Sequence, residues 1–325
     1  MTIFAPVTRM LAIGLLIGYT SSAPAQQNYP TKPIRLIVST APGNSTSSVA
    51  RLIGQKLTES WGQQVIVDNR AGGNSVIGNE IAAKAPPNGY TILALTTTHI
   101  IGALLLPNLP YDSIKDFTAV STLIRSEFIF VLNPSAAVNA LQEFIALARS
   151  RPGQFNFATT GSGSITHLAG ELFNNVAGVK MQHVPYRGGD LAMTDLVGGH
   201  VQSSFIVVAV ALPHIKSGRL KSLAITGKTR FPSLPQVPTF AEAGLPDFDI
   251  STWYGITAPP RTPKSIVDKL SAEIARILAM PDVRERLTNQ GLEPFISTPE
   301  QFAALMQSEL QKFGKIVKSA NIKLE

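Results

Sequence analysis

The sequence predicts an α/β fold built in two halves, on three observations. Short β-like runs alternate with helical patterns, as parallel strands joined by crossover helices do. Each half carries a Gly/Ser/Thr-rich turn between a strand and a helix, at 39–48 (STAPGNSTSS) and 159–166 (TTGSGSIT). Between the halves, Phe117 to Ile124 and Phe128 to Leu132 are apolar runs separated only by Arg125-Ser126-Glu127, as one long strand passing between lobes would be.

The elements follow in order. Arg9, the apolar run Met10 to Tyr19 and the small-x-small site Ala23-Pro24-Ala25 mark residues 1–25 as a cleavable secretory signal, with export expected. The apolar run is too short for a membrane span. Pro30 and Pro33 stiffen the opening segment. A strand (Ile34 to Val38), a helix with Val49, Leu52, Ile53 and Leu57 on one face, and a strand (Gln64 to Asp68) come next. A glycine turn at 71–75 leads to a helix (Val76 to Ala85), then a Pro-Pro-Asn-Gly turn and a strand (Tyr90 to Leu95) ending in Thr96-Thr97-Thr98-His99. Ser135 to Ser150 is predicted helical. A second series of strands is expected at Phe155 to Ala158, Met181 to Pro185, Val201 to Val210 and Leu220 to Thr226. Proline-rich segments lead to a return strand, Ile250 to Ala258. Helices are predicted at Pro263 to Met280, Pro281 to Asn289 and Pro299 to Ala320, each opened by a proline where it is tolerated.

The paired turns define the candidate site. A strand–turn–helix junction aims backbone N–H groups and the positive helix end at one spot, which suits an anion. The candidates in the first turn are Thr40, Ala41, Asn44, Ser45, Thr46 and Ser47; in the second, Thr160, Gly161, Ser162, Gly163, Ser164 and Thr166. Capping alone explains one such residue well, but not a run of them. Thr97 and Thr98 are placed at a strand end on the ligand side of an α/β sheet. His167 and Tyr186 are candidates for the same cleft, with a backbone contact and core packing as their respective alternatives. Arg187 reads as a surface residue of a glycine turn, and Trp253 and Tyr254 as a cleft wall or as core.

Other chemistries find little support. With no cysteine, disulfides and thiolate sites are excluded. The net charge of +7 is scattered, without basic runs interleaved with aromatics, so no nucleic-acid partner is expected. Gly-x-Ser-x-Gly, His-Glu-x-x-His and a phosphate-loop lysine are missing, and the five histidines are dispersed. No enzyme activity, cofactor or metal is therefore expected.

Spaced motifs carry a resemblance along the whole mature chain. They include Tyr29-Pro30-Thr31-Lys32-Pro33-Ile34-Arg35, Val65 to Arg70 with Ala71-Gly72-Gly73, Asn88-Gly89-Tyr90-Thr91, and Leu109-Pro110-Tyr111-Asp112. Further on come His167-Leu168-Ala169-Gly170-Glu171-Leu172-Phe173, His183-Val184-Pro185-Tyr186-Arg187-Gly188 and Leu234-Pro235-Gln236-Val237-Pro238-Thr239. In these the chain resembles the Bug/TctC solute-binding proteins of tripartite tricarboxylate transporters. The resemblance implies a two-lobed type II periplasmic-binding-protein fold: 26–126 with 249–325 as one lobe, 127–248 as the other. It implies a monomer that binds a small organic acid between the loops after the first strand of each lobe and delivers it to a membrane transporter. An accessory role to a two-component sensor stays open, and a hydrolase is the more distant alternative. The chain departs from the family pattern at Ser39, Thr40 and Ala41, which replace Pro-Phe-Pro, at Ser47, which replaces an acid, and at Ile206-Val207, which replace Asp-Asn. These departures imply a ligand without an amino group and a pocket with a more apolar end.

Overall fold

The computed structural model describes residues 1, 2 and 29–322. Most of the predicted signal segment, 3–25, lies outside the described residues. The chain folds as β1 (Ile34–Val38), α1 (Ser45–Trp61), β2 (Val65–Asn69), α2 (Val76–Ala83), β3 (Thr91–Thr96) and α3 (Thr97–Leu105). There follow β4 (Thr118–Leu132), α4 (Leu141–Ser150), β5 (Asn156–Thr159), α5 (Ile165–Ala177), β6 (Gln182–Pro185), α6 (Gly189–Gly198), β7 (Ser203–Val207), α7 (Val208–Lys216) and β8 (Lys221–Ile225). The last segments are β9 (Ser251–Ala258), α8 (Lys264–Ala279), α9 (Pro281–Asn289), β10 (Glu293–Pro294) and α10 (Pro299–Ser319).

The strands run in the order β2-β1-β3-β9-β4-β7-β5-β6, with β8 and β10 added to β4. The outer triplets, β2-β1-β3 and β6-β5-β7, are parallel; the joins through β9 and β4 are antiparallel. Parallel strands need crossover connections, which the alternating helices supply. The long apolar segment is one strand. Its residues 118–127 pair with β9, from Thr118 opposite Ala258 to Glu127 opposite Ser251. The partner changes at the next residue: Phe128 faces Val207 of β7, and Ile129 faces Ile225 of β8.

Local sequence explains most elements. Helix α1 buries Val49, Leu52, Ile53 and Leu57 at helical spacing and presents polar residues outward. It ends at Gly62, which adopts the left-handed conformation that releases the chain into β2. Strand β1 is covered on both faces, as a central parallel strand requires. Behind β4 and β7, the rings of Phe130, Phe173 and Phe205 form one aromatic cluster, with Phe130 4.7 Å from Phe205 and 5.0 Å from Phe173.

Three expectations are corrected. The helix predicted from Ser135 starts at Leu141. Asn133 Oδ1 accepts the Ser135 N–H, and the Glu143 carboxylate accepts the Asn139 N–H, which hold the intervening chain in turns. The strand predicted over Val201 to Val210 ends at Val207; the β-branched run continues as α7, which buries Val208 and Ala211 on one face. Tertiary burial outweighs local β propensity there. Finally, Thr97 and Thr98 do not end a strand. They open α3, capped by Thr96, whose side chain accepts the Thr98 N–H.

Close packing of α5 on β5 yields a stability test. A Cβ added at Gly170 would lie 2.0 Å from the buried ring of Phe157. Helix propensity alone favours alanine over glycine by about 1 kcal/mol. Overpacking costs about 1–3 kcal/mol. Gly170→Ala is therefore expected to lower the urea midpoint of unfolding, and a raised midpoint would contradict this packing.

Candidate functional site

The second turn is organised by its own hydroxyls. Thr166 Oγ1 accepts the Thr160 N–H at 3.0 Å and sits 2.9 Å from Ser164 Oγ and 3.2 Å from Thr160 Oγ1. Ser164 caps α5 by accepting the His167 N–H. Gly161 (φ 132°) and Gly163 (φ 73°) occupy backbone conformations that disfavour side chains, so the loop folds back tightly on the helix start. These bonds use the N–H groups of Thr160, Gly161, Gly163 and His167. The N–H groups of Ser162, Ile165 and Thr166 are not consumed by them.

A cavity of about 200 Å³ opens against this turn. Thr160, Gly161, Ser162, Gly163 and Ser164 form one wall. Asn74, Thr98, Ile101, Gly102 and Leu105 form the other. A second cavity of about 120 Å³ shares Thr160 and extends between β7, α6 and the start of α7. No residue lining either one is charged.

Of the sequence-derived candidates, Thr98 and the second turn thus come together. The first turn lines neither cavity. Asn44 caps α1, its Oδ1 accepting both the Ser47 N–H and the Thr40 hydroxyl. Ala41 is exposed. Thr46 and Ser47 are buried; Ser47 Oγ exchanges hydrogen bonds with Asn69, whose amide also donates to Thr40 O. Ser45 and Thr46 hydrogen-bond the hydroxyl of the buried Tyr254, whose pKa burial raises. The run of polar residues therefore has internal partners beyond capping. Thr97 is buried too, 3.0 Å from Thr252 Oγ1 on β9.

The other candidates support the walls. His167 Nδ1 accepts the Gly163 N–H at 3.1 Å, and its ring stacks on His183 with centroids 3.7 Å apart. It braces the turn from behind rather than lining the cavity. The Tyr186 hydroxyl donates to Asp195 Oδ2 at 2.8 Å. Burial first, then the Asp195 carboxylate, push its pKa up to about 12, so it stays a donor at neutral pH. Arg187 is exposed, while Trp253 is packed edge-on against Phe302 in the core.

Sequence reasoning missed Asn74, Ile101, Gly102 and Leu105. Asn74 lies in a turn where Gly72, Gly73, Asn74 and Ser75 all have positive φ. The Gly-Gly-Asn-Ser run carried that signal, because such residues tolerate the left-handed region. The other three belong to α3, whose apolar sequence gives no polar signal of a site.

Two histidines make folding pH-sensitive. His99 is fully enclosed: Nδ1 accepts from Asn79 Nδ2 at 3.0 Å and Nε2–H donates to Ser113 O at 2.8 Å. Burial lowers its pKa to about 4. For His167, burial and then the neighbouring His183 lower it likewise to about 4. The unfolded chain therefore binds these protons more readily. Stability is full above the ordinary histidine pKa near 6.5 and falls as pH drops through the window to 4, by roughly 3 kcal/mol for His99. Ring NMR titration is expected to show both imidazoles neutral at pH 5, with urea midpoints falling over the same window. Ordinary titration of both rings near 6.5 would refute the assignment.

Comparison with known proteins places this geometry. Residues 49–322 match the family described as tripartite tricarboxylate transporter family receptor. Protein BugT of Bordetella pertussis is 36% identical over 324 residues, covering 98% of this chain and 99% of BugT. A solved periplasmic transporter is 36% identical with a TM-score of 0.80, covering 91% of this chain and 100% of that one. An R. palustris protein solved with adipate is 31% identical with a TM-score of 0.82 at the same coverage, 91% and 100%. By sequence and by its mixed α/β periplasmic-binding-protein fold, the chain belongs to the tripartite tricarboxylate transporter receptors, the TctC or Bug solute-binding proteins.

Proposed function

We propose that this receptor captures a small carboxylate in the periplasm with the second turn and hands it to the membrane subunits of a tripartite transporter. The observation that carries the reading is the cavity walled by five consecutive residues at the start of α5. Ser162, Ile165 and Thr166 N–H groups, with the Ser162 and Ser164 hydroxyls, are the donors assigned to the carboxylate. The helix end adds a favourable field without a side-chain charge. Thr98 and Asn74 close the site from the opposite wall. The adipate-bound relative supports a carboxylate as the ligand class. The periplasmic relative and the predicted signal segment support the location.

The lobes are assigned as 26–126 with 249–325, and 127–248, which agrees with the change of partner along β4 after Glu127. Closure of the lobes, with Thr40, Ala41, Asn44 and Ser45 swung toward the ligand, completes the proposed binding step in a monomer. His167 and Tyr186 are assigned a bracing role.

Capture without turnover has a direct test. Thermal melting against mono-, di- and tricarboxylates is expected to identify an acid that raises Tm with concentration. Replacing the bound carboxylate by its amide is expected to weaken binding about 10- to 100-fold, the worth of hydrogen bonds to a charged group. Equal binding of acid and amide, or recovery of a chemically altered ligand, would sink the reading.

A further inference from the structure

We infer that the ligand is a monocarboxylic acid with a compact hydrocarbon tail, its head on the second turn and its tail in the apolar cavity beside it. This rests on the carboxylate reading above and narrows it. The cavity of about 120 Å³ is walled by Ala192, Met193, Phe205, Ile206, Val207 and Val210. Its rim holds hydroxyls that already have partners. Ser204 Oγ donates to Ala158 O at 2.8 Å, Thr159 Oγ1 lies 2.7 Å from His183 Nε2, and Thr166 Oγ1 accepts the Thr160 N–H. What faces the space is therefore mainly hydrocarbon.

Thr160 belongs to both cavities, so a head bound along 160–164 has its tail directed past Thr160 into the apolar space. An apolar cavity of about 150 Å³ stays dry and accepts benzene. The smaller space here suits a tail of about three to five carbons. A second carboxylate would enter a space with no charged side chain in its lining and with its rim hydroxyls already bonded, and would lose most of its hydration for little in return.

Pentanoate and glutarate make a matched pair, because they differ only in whether the fifth carbon is a methyl or a carboxylate. In calorimetric titration of the purified protein, pentanoate is expected to bind at least about 100-fold more tightly than glutarate. Val207 is the residue before the first turn of α7, in the N-cap position, which suits aspartate, so Val207→Asp is expected to fold. That variant, checked by circular dichroism, is expected to lose about tenfold or more in pentanoate affinity. Glutarate binding as tightly as pentanoate would overturn the inference while leaving the carboxylate reading intact. Unchanged pentanoate affinity in folded Val207→Asp would remove the tail from this cavity. Pentanoate and glutarate both binding no better than pentanamide would end the carboxylate reading, and this inference with it.

Discussion

The backbone hydrogen bonding of β4 is the constraint on which the rest depends. Fifteen residues stay extended while the partner strand changes from β9 to β7 and β8 between Glu127 and Phe128. A buried strand cannot leave its N–H and C=O groups unpaired, so both sheets must meet at that point. Side chains secure the junction. Thr226 Oγ1 accepts the Phe128 N–H and donates to Glu127 Oε2. The Glu127 carboxylate lies 3.0 Å from Arg125 Nε, and burial raises its pKa. On the facing helix, Lys312 bridges Glu309 at 2.8 Å and Asp249 at 3.4 Å. The charges cluster where the strand changes partners, away from the two cavities beside the second turn.

That separation fits the chemistry of the turn. An anion held by a lysine or arginine gains a strong but weakly shaped attraction, and the cation must itself be desolvated. Backbone N–H groups at a helix start are already fixed by the helix, so they lose little freedom on binding. The cost is precision: a loop that holds an anion in this way must be rigid beforehand. Thr166 receives the Thr160 N–H, Ser164 receives that of His167, and His167 receives that of Gly163. Each acceptor removes a donor that would otherwise loosen the turn.

The fold was legible where local pattern and burial agree. Ile34–Val38, Pro281–Asn289 and the continuous β4 follow from apolar runs and proline starts. It was illegible where a β-rich sequence is recruited into a helix: Thr97 and Val208 both open helices because the chain must leave a strand end immediately. The second turn was readable because Gly161 and Gly163 announce a special backbone. The opposite wall was less so, since Ile101, Gly102 and Leu105 look like any apolar helix. A residue's own type reports its propensity; which face of a helix borders a cavity is decided by partners distant in sequence.

The two turns, similar in composition, are tied down differently. Both are hydroxyl-rich, and both precede a helix with a side-chain cap, Asn44 in one and Ser164 in the other. In the first turn, Ser47 and Thr46 point inward and are tied to Asn69 and Tyr254, partners on β2 and β9. Their hydroxyls hold the start of α1 against its own sheet. In the second turn, the hydroxyls bond mainly to one another and to the loop backbone, leaving Ser162 and the wall from 160 to 164 at the cavity. A hydroxyl bonded across to another strand fixes packing. A hydroxyl bonded within its own turn fixes the shape of the surface that the turn presents. The distinction lies in sequence separation between partners, which is why composition alone weighted the two turns equally.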